Sequence, residues 1–228
     1  MSIKLESVVP FGRSFDEYQK IFNLSDVDLS KNILGVGDGP ASFNAEMQER
    51  GHKVTSLDPL YELSGQEIQQ RFYRMVDDVI QQVEATSENW VWTYHKSPAD
   101  LRRNREAALK TFVKDYDSGK QQGRYKIGAL PHLLGLEDRS YDLALCSHFL
   151  FLYSKHFDYN FHQTAIQEML RVASEIRVFP LLTLAREKSI YVEPIILSLQ
   201  SSGFKVGIKK VPYELQRGGN EMLWARRF

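Results

Sequence analysis

The chain has 228 residues, 43% of them apolar and 25% charged, with 29 basic residues against 29 acidic ones and one cysteine. That length suits one large domain and scarcely two, and the composition excludes a mainly disordered chain. Balanced charge offers no general positive field for a polyanion, so nucleic acid is not expected as a partner, and Cys146 has no second cysteine for an internal disulfide.

Residues 1–31 read as an N-terminal helical arm. Met1–Glu6 lacks the apolar core of a signal peptide and no later apolar run approaches membrane-spanning length, so no membrane partner and a cytoplasmic location are expected. Ser14 is placed to cap a short helix carrying Phe15, Tyr18, Ile21 and Phe22. Because this arm must lie near the first strand, Arg13 and Tyr18 are candidates for substrate contact; the alternative is a helix that simply packs on the core.

From Lys31 the pattern is strand, glycine turn, helix, strand. Ile33 to Val36 is apolar, the turn runs through Gly35, Gly37, Asp38 and Gly39, and Pro40 fits the first turn of a helix continuing over Ser42 to Arg50. Gly51 is the stop signal, and Val54 to Leu57 leads to Asp58 and Pro59. This is one βαβ half of a parallel sheet, a form that binds ligands beyond the carboxyl ends of its strands.

Residues 59–122 exceed what a compact crossover needs. Helices are expected over Gly65 to Val83 and Pro98 to Asp117, an insertion or cap. The aromatic stretch Trp90 to His95 either lines a pocket or glues the insertion to the body. Arg102-Arg103-Asn104-Arg105 reads as a solvated helix face, with contact to an anionic substrate or nucleic acid as the alternative.

Lys126 to Leu130 is the expected third strand. Tyr141 to Cys146 is a fourth, apolar enough to be covered on both faces, and it empties into Ser147-His148-Phe149. A helix over Tyr159 to Ala173, a strand over Glu175 to Phe179, a helix over Lys188 to Ser202, and an antiparallel pair over Lys205 to Val211 and Glu221 to Arg227 complete the chain. The link between that pair, on the ligand side, makes Glu214, Arg217 and Asn220 substrate-contact candidates; the plain alternative is a hairpin turned by Gly218-Gly219-Asn220. Cys146 reads as a small buried residue.

The glycine turn excludes two common ligands. A triphosphate loop needs a lysine and a hydroxyl residue where Pro40-Ala41 stand, and the dinucleotide fingerprint needs a glycine at Pro40. A carboxylate at Asp38 would repel a pyrophosphate, so a cationic or zwitterionic ligand fits better.

Leu34-Gly35-Val36-Gly37-Asp38-Gly39, Asp58, and Ser140-Tyr141-Asp142-Leu143-Ala144-Leu145-Cys146-Ser147-His148 resemble the glycine motif, ribose-binding acid and fourth-strand motif of the class I S-adenosylmethionine-dependent methyltransferases. The resemblance runs in element order from Lys31 to Phe228. It implies a Rossmann-like, doubly wound α/β sheet of seven strands, mostly parallel with an antiparallel last strand, and a helical insertion after the second. It also implies S-adenosylmethionine as cofactor, held by Gly35, Gly37, Asp38, Gly39, Asp58, Pro59, Leu130 and Ser147, with Leu130 flanking adenine.

The chain departs from that pattern where Ala129-Leu130 replace the acid often found after the third strand. It also lacks an Asn-Pro-Pro-Tyr motif, which argues against methylation of an exocyclic base nitrogen. His148 follows the fourth strand at the reactive rim and is the candidate general base, the alternative being a core histidine among Phe149 and Phe151. No metal is called for. The expected activity is methyl transfer to an unidentified, small-molecule acceptor. The alternatives are a catalytically silent S-adenosylmethionine or nucleotide binder, an RNA or protein methyltransferase, and, disfavoured by Asp38 and Pro40, a nicotinamide-dependent oxidoreductase.

Overall fold

The computed structural model describes residues 9–227. The first eight residues of the N-terminal arm and Phe228 lie outside the described residues. Seven strands form one sheet: β1 (Ile33–Val36), β2 (Val54–Leu57), β3 (Tyr125–Lys126), β4 (Tyr141–Ser147), β5 (Ala173–Phe179), β6 (Lys205–Lys210) and β7 (Glu221–Arg226). Their spatial order is β3-β2-β1-β4-β5-β7-β6. β7 runs antiparallel to both neighbours and the other strands are mutually parallel. This is the doubly wound sheet expected from the sequence.

Two apolar layers cover it, and the strands feed them alternately. Ile33, Leu143 and Leu145 belong to one core, while Leu34, Val36, Ala144 and Cys146 belong to the other. The period of two in side-chain direction explains why β1 and the Leu143 to Cys146 stretch of β4 carry no polar side chain: each face has its own layer of helices to meet. The first layer holds α1 (Phe15–Ile21), α3 (Phe43–Glu49), α4 (Gly65–Glu84) and α5 (Pro98–Gln121), with the short α2 (Asp26–Leu29) leading into β1. The second holds α6 (Tyr159–Val172) and α7 (Val192–Ser201).

Helix α1 begins as its sequence predicts. Ser14 accepts from the Glu17 amide while Glu17 accepts from the Ser14 amide, a reciprocal cap that satisfies two otherwise open donors. Helix α3 differs from expectation, because Pro40 stands before it rather than in its first turn and the helix starts only at Phe43. The N-terminal arm takes the place of that missing turn: the Ser42 amide donates to the Arg13 carbonyl at 3.1 Å. A Cβ on Gly12 would lie 1.9 Å from the Pro40 carbonyl oxygen, so backbone meets backbone with no room for a side chain. Gly12→Ala is expected to lower stability by roughly 1–3 kcal/mol through this clash. Urea unfolding measures it, and an unchanged midpoint would show that the arm is not seated on the glycine turn.

β3 is two residues long instead of five. After Lys126 the chain leaves the sheet, with Gly128 so close to Leu57 that a Cβ would approach its side chain to 2.8 Å. Residues 127–140 then cross to β4 as a series of turns. Arg171 on α6 secures them by donating to the carbonyls of Leu133 and Leu136. In the aromatic stretch after α4, Trp90, Trp92 and Tyr94 pack against the first core as glue, and Trp90 also lines a cavity.

Candidate active site

The strand order reverses direction between β1 and β4, and the crevice beyond the carboxyl ends at such a point is where doubly wound sheets bind ligands. A cavity of about 460 Å³ lies there. It collects Gly37, Asp38 and Gly39 from the turn after β1, Asp58 and Pro59 from the end of β2, Leu130 from beyond β3, Ser147 and His148 from the end of β4, and Arg13 from the arm. Helix α4 adds Arg71, Arg74 and Met75 to the rim, so the 59–122 segment contributes a wall.

The turn needs its glycines for different reasons. Gly37 and Gly39 have φ of 67° and 52°, the left-handed region that side chains resist. Their amides fasten the turn to β2, Gly37 donating to the Leu57 carbonyl at 2.8 Å and Gly39 to the Asp58 carboxylate at 2.8 Å. Asp58 also accepts from the Leu60 amide at 2.7 Å, and the Tyr61 hydroxyl donates to the Gly39 carbonyl. Burial raises the Asp58 carboxyl above its usual range, against the pull of these two amides.

Two expectations need correction here. Gly35 does not line the cavity; it makes room for Asp38, whose carboxylate oxygen would sit 1.8 Å from a Cβ at that position. The Asp38 carboxylate, expected to meet a cationic ligand, is buried beneath the turn, where it accepts from the Tyr18 hydroxyl and the Ser56 hydroxyl, each at 2.6 Å. Burial pushes it up to about 6, opposed by those hydrogen bonds and reinforced by neighbouring Asp58. Tyr18 is therefore no substrate contact. It is fully buried, stacked on Phe43 at 4.4 Å, and braces the turn from below.

Glu214, Arg217 and Asn220 do not reach the cavity either. Glu214 accepts from the Gly218 amide and the Asn220 side chain, while Arg217 donates to the carbonyls of Glu88 and Trp90. Short loops close on themselves to satisfy their backbone, and this one also pins the segment after α4.

His148 stands where the sequence places it, at the end of β4. It has φ of 52°, and its Nδ1 lies 2.9 Å from the Ser147 hydroxyl. The ring packs edge-on against Phe179 and Tyr213 with centroids 5.1 and 6.4 Å away. Burial, then the guanidiniums of Arg13 and Arg105, hold the imidazole well below its ordinary value, so it is neutral at physiological pH. Among the described residues, Nε2 has no hydrogen-bond partner. Cys146 is buried just before it, and burial pushes its thiol up to about 12, which leaves it inert.

Behind His148 lies a cluster that sequence reasoning missed. Glu17 is fully buried and receives both terminal nitrogens of Arg105, at 2.6 and 2.8 Å. The Tyr213 hydroxyl donates to it at 3.0 Å, and His95 Nε2 lies at 3.2 Å. Burial alone would raise the Glu17 carboxyl, yet Arg105 and the His95 hydrogen bond hold it well below the usual carboxylate range. Arg105 was read as part of a solvated face, which holds for the exposed Arg103 but not here. The signal was available: Arg105 lies four residues from both Leu101 and Leu109, on the buried stripe of α5.

A second cavity, of about 120 Å³, adjoins the first and shares Phe11, Arg13 and His148 with it. Its other walls include Val79, Val83, Trp90, Leu152 and Leu215.

No protein-family model matches the chain. Uncharacterized protein MJ0045 of Methanocaldococcus jannaschii is 35% identical over 226 residues, covering 99% of each chain. Among solved structures, mitomycin 7-O-methyltransferase MmcR matches with a TM-score of 0.51 at 12% identity, over 94% of this chain and 54% of that one. The chain thus spans about half the length of that enzyme. Magnesium protoporphyrin IX methyltransferase from Synechocystis PCC 6803, solved with bound S-adenosylmethionine, matches at 14% identity and TM-score 0.47, over 94% of this chain and 78% of that one. No helix among the described residues is long and apolar enough to cross a membrane. The chain therefore belongs to the family of uncharacterized protein MJ0045, and its fold is that of the class I S-adenosylmethionine-dependent methyltransferases.

Proposed function

We propose that this chain is an S-adenosylmethionine-dependent methyltransferase acting on a small molecule, built as one domain with residues 9–31 of the arm and the 59–122 segment as its cover. The observation that carries this reading is the cavity at the β1–β4 reversal, where the left-handed Gly37 and Gly39 face the half-buried Asp58. Its volume of about 460 Å³ falls in the range of small-molecule and cofactor sites. Gly37 and Gly39 let a ligand approach the backbone, and Asp58 keeps lone pairs for ribose hydroxyls after accepting two amides. Leu130 and Pro59 supply apolar walls for the adenine. S-adenosylmethionine, when bound, supplies a methyl group on a positively charged sulfur that keeps the carbon–sulfur electron pair as the methyl leaves.

The chain's own work is alignment and proton removal. Neutral His148 takes the proton of an acceptor hydroxyl at Nε2 as the acceptor oxygen bonds to the methyl carbon, and Ser147 at Nδ1 holds the ring in place. The modest size of the second cavity supports a small acceptor over a polynucleotide.

Calorimetry with S-adenosylmethionine and S-adenosylhomocysteine, paired with transfer of labelled methyl to a small-molecule extract, tests the reading. Saturable binding of both and label in an extract component are expected, with transfer but not binding lost in His148→Gln. Binding without transfer to any component would favour a silent binder. Binding of a nicotinamide dinucleotide in place of both ligands would overturn the reading.

A further inference from the structure

The charge behind His148 does not balance. Arg105 is matched by Glu17, but no carboxylate among the described residues lies in ion-pair range of Arg13. One terminal nitrogen of Arg13 donates to the Phe11 carbonyl, while its Nε is buried without any partner. Burial, then Arg105, lowers Arg13 to about 10, which still leaves it a cation at neutral pH. His95 and His148 are both pushed toward their neutral forms by burial, so they add no charge of either sign. One positive charge, on a half-buried side chain whose Nε is enclosed without a partner, is left without a counter-charge, an arrangement that a bound anion would relieve.

Arg13 borders both cavities. The larger one has carboxylates of its own in Asp58 and Glu62, whereas the smaller one has none among its lining residues, which include Val79, Val83, Trp90 and Leu152 with Arg105, whose charge Glu17 already matches. A volume of about 120 Å³ is close to that of an apolar cavity that takes one benzene ring. We propose that this second cavity is the acceptor compartment and takes a compact anionic ring compound, one apolar ring bearing a carboxylate or comparably acidic group that pairs with Arg13. The word acceptor rests on the methyltransferase reading above; the anion and the ring rest on the cavity alone.

The test is a ¹⁹F NMR titration of the full chain with 4-fluorobenzoate and with its neutral match 4-fluorobenzamide, with and without saturating S-adenosylhomocysteine. Fluorobenzoate is expected to bind at least tenfold more tightly than the amide. Arg13→Gln should remove that preference while changing amide affinity less than threefold. Leu152→Phe, which fills the compartment from a different wall, should abolish binding of both probes and leave S-adenosylhomocysteine binding intact. Equal affinity for the two probes, a preference that survives Arg13→Gln, or displacement of fluorobenzoate by S-adenosylhomocysteine would overturn the compartment. S-adenosylhomocysteine binding with no preference for the anion would remove the compartment and keep the methyltransferase reading. The preference without any S-adenosylhomocysteine binding would do the reverse, removing the reading and keeping an anion site.

Discussion

Glu17→Ala is expected to cost about 3–5 kcal/mol of folding stability, the range for removing one partner of a buried ion pair. The carboxylate is fully enclosed and receives Arg105, Tyr213 and the Ser14 amide, with His95 close by. Its loss leaves the buried guanidinium of Arg105 without its counter-charge, with the half-buried Arg13 as a second positive charge nearby. Against a typical total stability of about 5–15 kcal/mol, that could unfold a large fraction of the protein. Urea denaturation measures the loss, and a loss below about 1 kcal/mol would mean that solvent reaches the pair. Glu17→Leu combined with Arg105→Met should recover much of the stability, because both charges then leave together and His95 and Tyr213, 3.4 Å apart, can bond to each other. The linkage has a defined sign. The folded carboxyl is depressed, so its contribution is present above the ordinary glutamate range and disappears as pH falls below it.

Asp58→Ala is the corresponding result for binding. Affinity for S-adenosylhomocysteine should fall by well over tenfold, more than about 1.4 kcal/mol. Two effects combine. The ribose loses its acceptor, and the Gly39 and Leu60 amides lose the carboxylate that holds the turn against β2. The second effect also appears as a stability loss of about 0.5–2 kcal/mol, the usual cost of deleting a side-chain cap. Calorimetry and thermal unfolding separate the two. A lower melting temperature with unchanged affinity would assign Asp58 to the scaffold and remove it from the ligand.

Several features of the site were legible because they depend on neighbours in the chain. A strand covered on both faces must be apolar throughout, so β1 and β4 could be read directly. Gly37 and Gly39 answer a local backbone need, and the Ser14 cap is completed three residues later by Glu17. Asp58 follows because a strand's end and the residue after it are adjacent by definition. Asp38 shows where this stops. Its position in the turn was plain, but the direction of its carboxylate depends on Tyr18 and Ser56, which lie 20 and 18 residues away.

The amino-acid sequence by itself determined most of the order of the elements, one parallel βαβ half, the closing antiparallel pair and the glycine turn with its acid, since periodicity, capping and backbone freedom act over a few residues, while the seven-stranded sheet followed from the family resemblance. Only the tertiary structure decided which polar groups became buried partners. Arg105 meets Glu17 across 88 residues, Glu214 and Asn220 turned away from the cavity to close their own loop, and Arg217 reached across to the carbonyls of Glu88 and Trp90. A buried charge needs its counter-charge in space, and where the N-terminal arm, α1 and α5 bring Arg13, Glu17 and Arg105 together is fixed by packing against one face of the sheet.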